Sequence, residues 1–374
     1  MSSSAVGRRP ELDFLRGVAI IFVMFFHFRV ADDAHPLLEA LVYPLQAFGG
    51  AGVDMFFTLS GFLVGGLLFS EWKKTGAINA TRFLVRRAFK IWPLYYVLIF
   101  FHLLVGRHPA DTFFWQNLTH TQNYTGSAIL QTWSLAVEEH FYLVAAFLMS
   151  LAAPRLSLRP LIATSLLLCA LVLAARSAYV HTGDLDGAFR YTHLRIDSMI
   201  YGVMLAALYW LAPGHFARLA AHRGWLIAAA LALLAWLALV GTSSPLARSI
   251  GYTVEALGFC CVVVLALGTP AGISGNLLFR GVAWIGMYSY GIYLWHSLAL
   301  APGQYLIDHL EAREVDASVV FVFTLAFQAL LAVGLGYCAT RLVEWPFLRL
   351  RDRFFPKAEE AAGKGRAEPL VVAK

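Results

Sequence analysis

The sequence predicts an all-α, polytopic membrane protein with about ten transmembrane helices and both termini in the cytoplasm. Three observations carry this prediction. Hydrophobic residues make up 59% of the 374-residue chain and charged residues only 14%, a balance that ordinary globular domains do not have. The apolar residues gather into runs of spanning length, at 14–31, 47–69, 91–106, 132–152, 160–181, 194–212, 224–242, 250–268, 282–301 and 317–343. Lysine and arginine then collect in alternate connections, as Arg8, Arg9, Lys73, Lys74, Arg82, Arg86, Arg87, Lys90, Arg155, Arg159, Arg218, Arg223 and Arg280. The segment 32–46 carries Asp32, Asp33 and Glu39 with no lysine or arginine, and 302–316 is acidic apart from Arg313. Basic residues accumulate on the cytoplasmic face, so the formal charge of +6 reads as a topology signal and not as a nucleic-acid surface.

The first run, FLRGVAIIFVMFFHFRVA, contains Arg16 and His27. Eleven residues apart, they lie within roughly 20° on a helix and about 16 Å apart along its axis. Ionisable groups are costly in hydrocarbon, so a shared face implies protein or a wet cavity. The plain alternative is that Arg16 snorkels to the headgroups while His27 packs. Arg8 and Arg9 precede this run like the charged region of a signal peptide, but Arg16 interrupts the apolar core and no small-residue cleavage site follows. The run reads as a retained signal anchor.

In the second run, Gly61 and Gly65 form a small-xxx-small pair that admits a neighbouring helix closely. Asp54 is a functional candidate there by its burial cost, while Ser60 reads as a packing serine; no GxSxG elbow surrounds it. The stretch TRFLVRRAFKIWPLYY repeats Arg82, Arg86 and Lys90 every four residues, with Arg87 beside them. Topology alone explains such a face, and an anion site at the inner surface is the alternative. The external segment 107–131, rich in aromatic, Asn and Thr residues, reads equally as an interfacial lid or an aromatic belt.

The fourth run begins QTWSLAVEEHFYL, in which Glu138 and Glu139 point in different directions, so at least one belongs inside the bundle. LRIDSMIYG places Arg195 and Asp197 at the external start of the sixth. In MYSYGIYLWHSLAL, Ser289, Tyr293 and His296 form one polar stripe at i, i+4 and i+7. The chain closes with RLVEWPFLRLRDRFF, where Glu344 lies at the inner edge and Pro346 ends the helix. All four cysteines sit inside apolar runs and predict neither disulfides nor a metal site. Residues 1–355 read as one transmembrane domain and 356–374 as a disordered cytoplasmic tail.

Taken in order, Arg16 through His27, FFTLSGFL at Phe56–Leu63, the basic segment ending in Pro93, WSLAVEEHFYL at Trp133–Leu143, RIDSMIYG at Arg195–Gly202 and SYGIYLWH at Ser289–His296 resemble the acyltransferase-3 family, over about residues 10–350. Lys90 stands where that family's basic motif has a second arginine before the proline. No segment resembles the extracytoplasmic hydrolase-like domain fused to some members. The resemblance implies a bacterial inner-membrane enzyme that transfers an acyl group, most often acetyl from acetyl-CoA, to a carbohydrate or cell-envelope glycan. It implies donor contacts at Arg16, Arg86, Arg87 and Lys90, with His27 as general base or transient acyl carrier. Glu138 is expected to orient His27, Arg195 or His296 to stabilise the oxyanion, and Asp54, Arg195 and Tyr293 to contact the acceptor. On physical grounds alone, a transporter or flippase for a lipid-linked sugar fits the polar clusters equally well.

Overall fold

Glycines let two helices of the bundle approach backbone to backbone. The computed structural model describes residues 9–105, 110–126, 129, 131–240, 242–268 and 275–356. In order, its helices are α1 (Pro10–His27), α2 (Pro36–Ala47), α3 (Ala51–Thr75), α4 (Ala80–Leu104), α5 (Ala110–Leu118), α6 (Gln122–Thr125), α7 (Thr132–Ala152), α8 (Leu158–His181) and α9 (Leu185–Arg190). They continue as α10 (Asp197–Leu211), α11 (Pro213–Ala221), α12 (Arg223–Val240), α13 (Tyr252–Leu267), α14 (Leu277–Met287), α15 (Ser289–Trp295), α16 (Leu300–Glu311), α17 (Ala317–Ala339) and α18 (Trp345–Phe354). No strand occurs among the described residues. The helix that Gly61 and Gly65 admit is α10: a Cβ at Gly61 would overlap the Met199 carbonyl, and one at Gly202 the Thr58 carbonyl.

The chain is an all-α polytopic membrane protein. Among the described residues, seven helices are long and apolar enough to cross a membrane, or eight if α10 and α11, bent by 110°, count as one crossing. About ten were expected from hydropathy, and several expected runs are divided. The run 282–301 breaks at Tyr288, whose ring packs 4.9 Å from Tyr337, and a 3-10 turn at His296–Ala299 separates α15 from α16. The first run ends as helix at His27, where Phe28 turns to extended backbone. Gln328 of α17 replaces the lost helical bonds, donating to the Arg29 carbonyl (2.6 Å) and accepting from its N–H (3.0 Å). Continuous apolar composition conceals such breaks because either conformation buries the same side chains.

Over its described part the segment 107–131 packs its polar residues into the bundle while Trp115 and Tyr124 stay exposed, as the aromatic-belt reading expects. Phe114 packs 6.2 Å from Phe100, while Asn117 accepts from the Tyr95 hydroxyl at 2.9 Å, so α5 runs back along the end of α4. Asn117, Gln122 and Asn123 are fully buried. The tail from 357 lies outside the described residues.

Replacing Gly202 by leucine forces α3 and α10 apart and is expected to destabilise the purified protein by at least about 1–3 kcal/mol. Gly214→Leu meets open space and serves as the control. Thermal unfolding of both variants in one detergent checks this; equal midpoints would contradict the close packing.

Candidate active site

Two histidines meet where α1 ends and the 3-10 turn after α15 begins. Their ring centroids are 5.0 Å apart, with the planes tilted by 56°. In each, Nδ1 lies 2.8 Å from a backbone carbonyl of its own helix, Val23 for His27 and Tyr293 for His296. A carbonyl only accepts, so Nδ1 carries the proton in both neutral rings and each Nε2 presents a lone pair. His296 is fully buried and its Nε2 has no hydrogen-bond partner.

This geometry corrects three expectations. Glu138 does not orient His27, because Val23 already holds Nδ1. His296 in this tautomer accepts at Nε2 and so cannot donate to an oxyanion. Tyr293 is committed to the junction of α7 and α15: its hydroxyl donates to the Gln131 carbonyl (2.9 Å) and meets Ser134 at 2.6 Å.

A second cluster forms where α7 faces α3 and α4. Glu138 accepts from the Tyr142 hydroxyl at 2.7 Å, and Ser60 reaches the same hydroxyl at 2.6 Å. The Arg87 guanidinium lies over the Tyr142 and Phe83 rings, 5.4 Å from each centroid. Arg16 is close enough to interact electrostatically with Arg87, Lys90 and Glu138. Glu139 diverges, as adjacent helical residues must, and accepts from Trp92 Nε1 at 3.1 Å. Glu138 interacts electrostatically with both Arg16 and Arg87, and Glu139 with Arg87.

The four basic candidates separate by partner. Arg86 reaches Asp352 (3.1 Å) and the Phe355 carbonyl, tying α4 to α18, and Lys90 pairs with Glu344. These two are neutralised within the protein. Arg16 and Arg87 have no carboxylate within 4.0 Å among the described residues. Both Glu138 and Glu139 lie within electrostatic reach of Arg87, but neither closes an ion pair with it, so the Arg16 and Arg87 guanidinium groups keep their forked donors unmatched by a carboxylate.

Asp54 and Arg195, expected against the acceptor, are instead buried against each other at 2.5 Å. Arg195 also donates to the Phe189 carbonyl (2.9 Å), and its guanidinium lies 3.5 Å over the Tyr252 ring. Arg176 of α8, fully buried, pairs with Asp197 at 2.8 Å and donates to the Leu194 and Ser249 carbonyls. Glu255 of α13 lies beside Asp54. Together these groups join α3, α8, α10 and α13. Sequence reading passed over Arg176, Tyr252 and Glu255, although a lone charge inside the runs 160–181 and 250–268 was the available signal.

Removing one partner strands a buried charge at a cost of about 3–5 kcal/mol. Arg176→Met is therefore expected to abolish recovery of folded, monodisperse protein, measured by size exclusion after detergent extraction. Full recovery would show that the network does not hold the bundle.

A family model described as an acyltransferase domain matches residues 9–341. The peptidoglycan O-acetyltransferase OatA of Listeria monocytogenes is 29% identical over 321 residues, covering 77% of this chain and 48% of the relative. The O-acetyltransferase OatA of Staphylococcus aureus is 25% identical over 389 aligned positions, 97% of this chain and 61% of the relative. A putative peptidoglycan O-acetyltransferase, YrhL of Bacillus subtilis, is 26% identical over 340 positions, covering 77% of this chain and 48% of the relative. The chain thus spans between 48% and 61% of the length of these curated relatives. No solved structure matches it. With the family model covering nearly all of the bundle and both polar clusters, the chain belongs to the acyltransferase-3 family.

Proposed function

We propose that the chain is a membrane O-acyltransferase that moves an acyl group, acetyl from acetyl-CoA first among donors, to a hydroxyl of a carbohydrate or cell-envelope glycan. In this reading the donor arrives from the cytoplasm, both termini are cytoplasmic, and the protein resides in a bacterial inner (plasma) membrane. Family membership and the relatives' names support the reaction class. The observation that carries the acceptor class is the pair of neighbouring imidazoles of His27 and His296, 5.0 Å apart, each with Nδ1 held by a backbone carbonyl so that Nε2 is the acceptor. Two neighbouring lone pairs suit two hydroxyl donors on one molecule, as a sugar provides.

His27 Nε2 takes the proton of the acceptor hydroxyl while that oxygen attacks the thioester carbonyl. The new C–O bond forms, the C–S bond breaks, and the imidazolium returns the proton to the departing thiolate. His296 accepts from a second hydroxyl and fixes the sugar's orientation. Val23 and Tyr293 keep both rings in the required tautomer. Arg16 and Arg87 hold the donor's phosphates, and Arg16 lies about 16 Å along α1 from His27. That interval is left for the arm between phosphates and thioester to cross.

The test uses purified full-length chain, labelled acetyl-CoA and an acceptor sugar, without an ion gradient. His27→Ala is expected to lower kcat/KM at least about 100-fold. Arg87→Gln is expected to raise the donor KM about tenfold or more, with Arg86→Gln changing it less than about twofold. Unchanged transfer by folded His27→Ala protein would overturn the catalytic assignment. Label trapped on His27 without acceptor would replace the base role with an acyl-imidazole, and a requirement for a gradient would support the transporter reading.

A further inference from the structure

A groove of about 610 Å³ opens on the flank of the bundle between α4 and α7, on the side to which Glu139 points. One wall is hydrocarbon: Leu84, Val85, Phe89, Leu143 and Phe347 line it, and Leu143 and Phe347 are exposed at the outer surface of the bundle. In a membrane protein such a face meets lipid, so the groove opens sideways into the bilayer. The other wall is polar, and Arg87 and Tyr142 of the cluster described above stand at its edge, so the groove adjoins that cluster. His120, from the turn between α5 and α6, stacks against Tyr95 with centroids 5.1 Å apart and against Trp92 at 6.2 Å.

His120 is 8% exposed, and neither ring nitrogen has a hydrogen-bond partner. Burial, reinforced by the neighbouring His140, pushes its imidazole down to about 4, so the ring is neutral and offers one donor and one acceptor. Glu139 adds a second unmet group: Oε2 accepts from Trp92, while buried Oε1 has no partner. Buried polar groups left unmatched are uncommon and costly. Two of them lining one cavity, beside an aromatic face and above a hydrocarbon wall, point to a ligand with the same division.

We infer that this groove binds a glycolipid, with sugar hydroxyls on His120 and Glu139 and the hydrocarbon chain along Leu84, Phe89, Leu143 and Phe347. Access is lateral, from the bilayer. The choice of a sugar head rests on the glycan-acceptor reading above, but the groove's binding is separable from turnover. Its polar end needs groups that both donate and accept, which sugar hydroxyls supply and a choline head does not.

The experiment uses the full chain in nanodiscs and a photoactivatable dodecyl glucoside carrying a diazirine at the chain end. A dodecylphosphocholine of the same chain is the control. The glucoside is expected to label peptides of α4 and α7. His120→Phe keeps the stacked ring and removes both nitrogens; it is expected to reduce this labelling about tenfold, the loss of one or two hydrogen bonds. Leu143→Trp fills the hydrocarbon wall without touching the polar groups and is expected to do the same, which guards against a folding defect in either variant. Equal labelling by the phosphocholine, or insensitivity to both substitutions, would make the groove an ordinary lipid contact and overturn the inference. Protection by acetyl-CoA but not by unlabelled glucoside would overturn it in favour of a donor route. Because no acyl transfer is scored, this experiment tests binding in the groove separately from the proposed function, which the transfer assay above tests.

Discussion

A charge held away from water must find an opposite charge, and that constraint organises this bundle. The ion pair of Arg195 with Asp54 and that of Arg176 with Asp197 occupy its interior, joined to backbone carbonyls that would otherwise lose their partners. The Arg195–Asp54 pair joins positions 141 residues apart, while Arg176–Asp197 ties α8 to α10, 21 residues on, so separating either contact strands a buried charge. Such pairs contribute little net stability over hydrophobic packing, but the cost of separating them is large. Their effect is to select one arrangement of helices.

Against that background of matched charges, Arg16 and Arg87 stand apart. They share Glu138 as an electrostatic neighbour, and neither makes an ion pair among the described residues. Lys90 and Arg86, neighbours on the same helix, are already neutralised by Glu344 and Asp352. The same rule explains the histidines, whose Nδ1 atoms are pinned by backbone carbonyls and whose Nε2 atoms are left as acceptors. The proposed division into a donor end and an acceptor end rests on these two sets: Arg16 and Arg87 on α1 and α4, and the imidazoles of His27 and His296 where α1 meets the turn after α15.

The fold class was legible because composition and the length of the apolar runs report directly on the bilayer. Gly61 and Gly65 also announced a close helix contact, and α10 is the helix that makes it. Partners were not legible: Lys90 and Glu344 are 254 residues apart and Arg86 and Asp352 266, so no local pattern joins them. For that reason a run of four basic residues looked uniform in sequence, although only Arg87 escapes internal neutralisation along with distant Arg16. Asp54 was singled out by burial cost and Arg195 by family resemblance, but neither signal distinguishes a group waiting for substrate from one paired with a neighbour. His120 gave no signal, because a histidine in a polar external segment is unremarkable until that segment turns back into the bundle.

The most direct measurement of the division between donor and acceptor ends uses oriented proteoliposomes. Labelled acetyl-CoA is supplied only on the face proposed above as cytoplasmic, and a membrane-impermeant acceptor sugar only on the other, with no gradient across the bilayer. Label is predicted to appear on the sugar in the opposite compartment, and to be lost with His27→Ala. Label appearing only when donor and sugar share one face would contradict a transfer path running from Arg16 to His27.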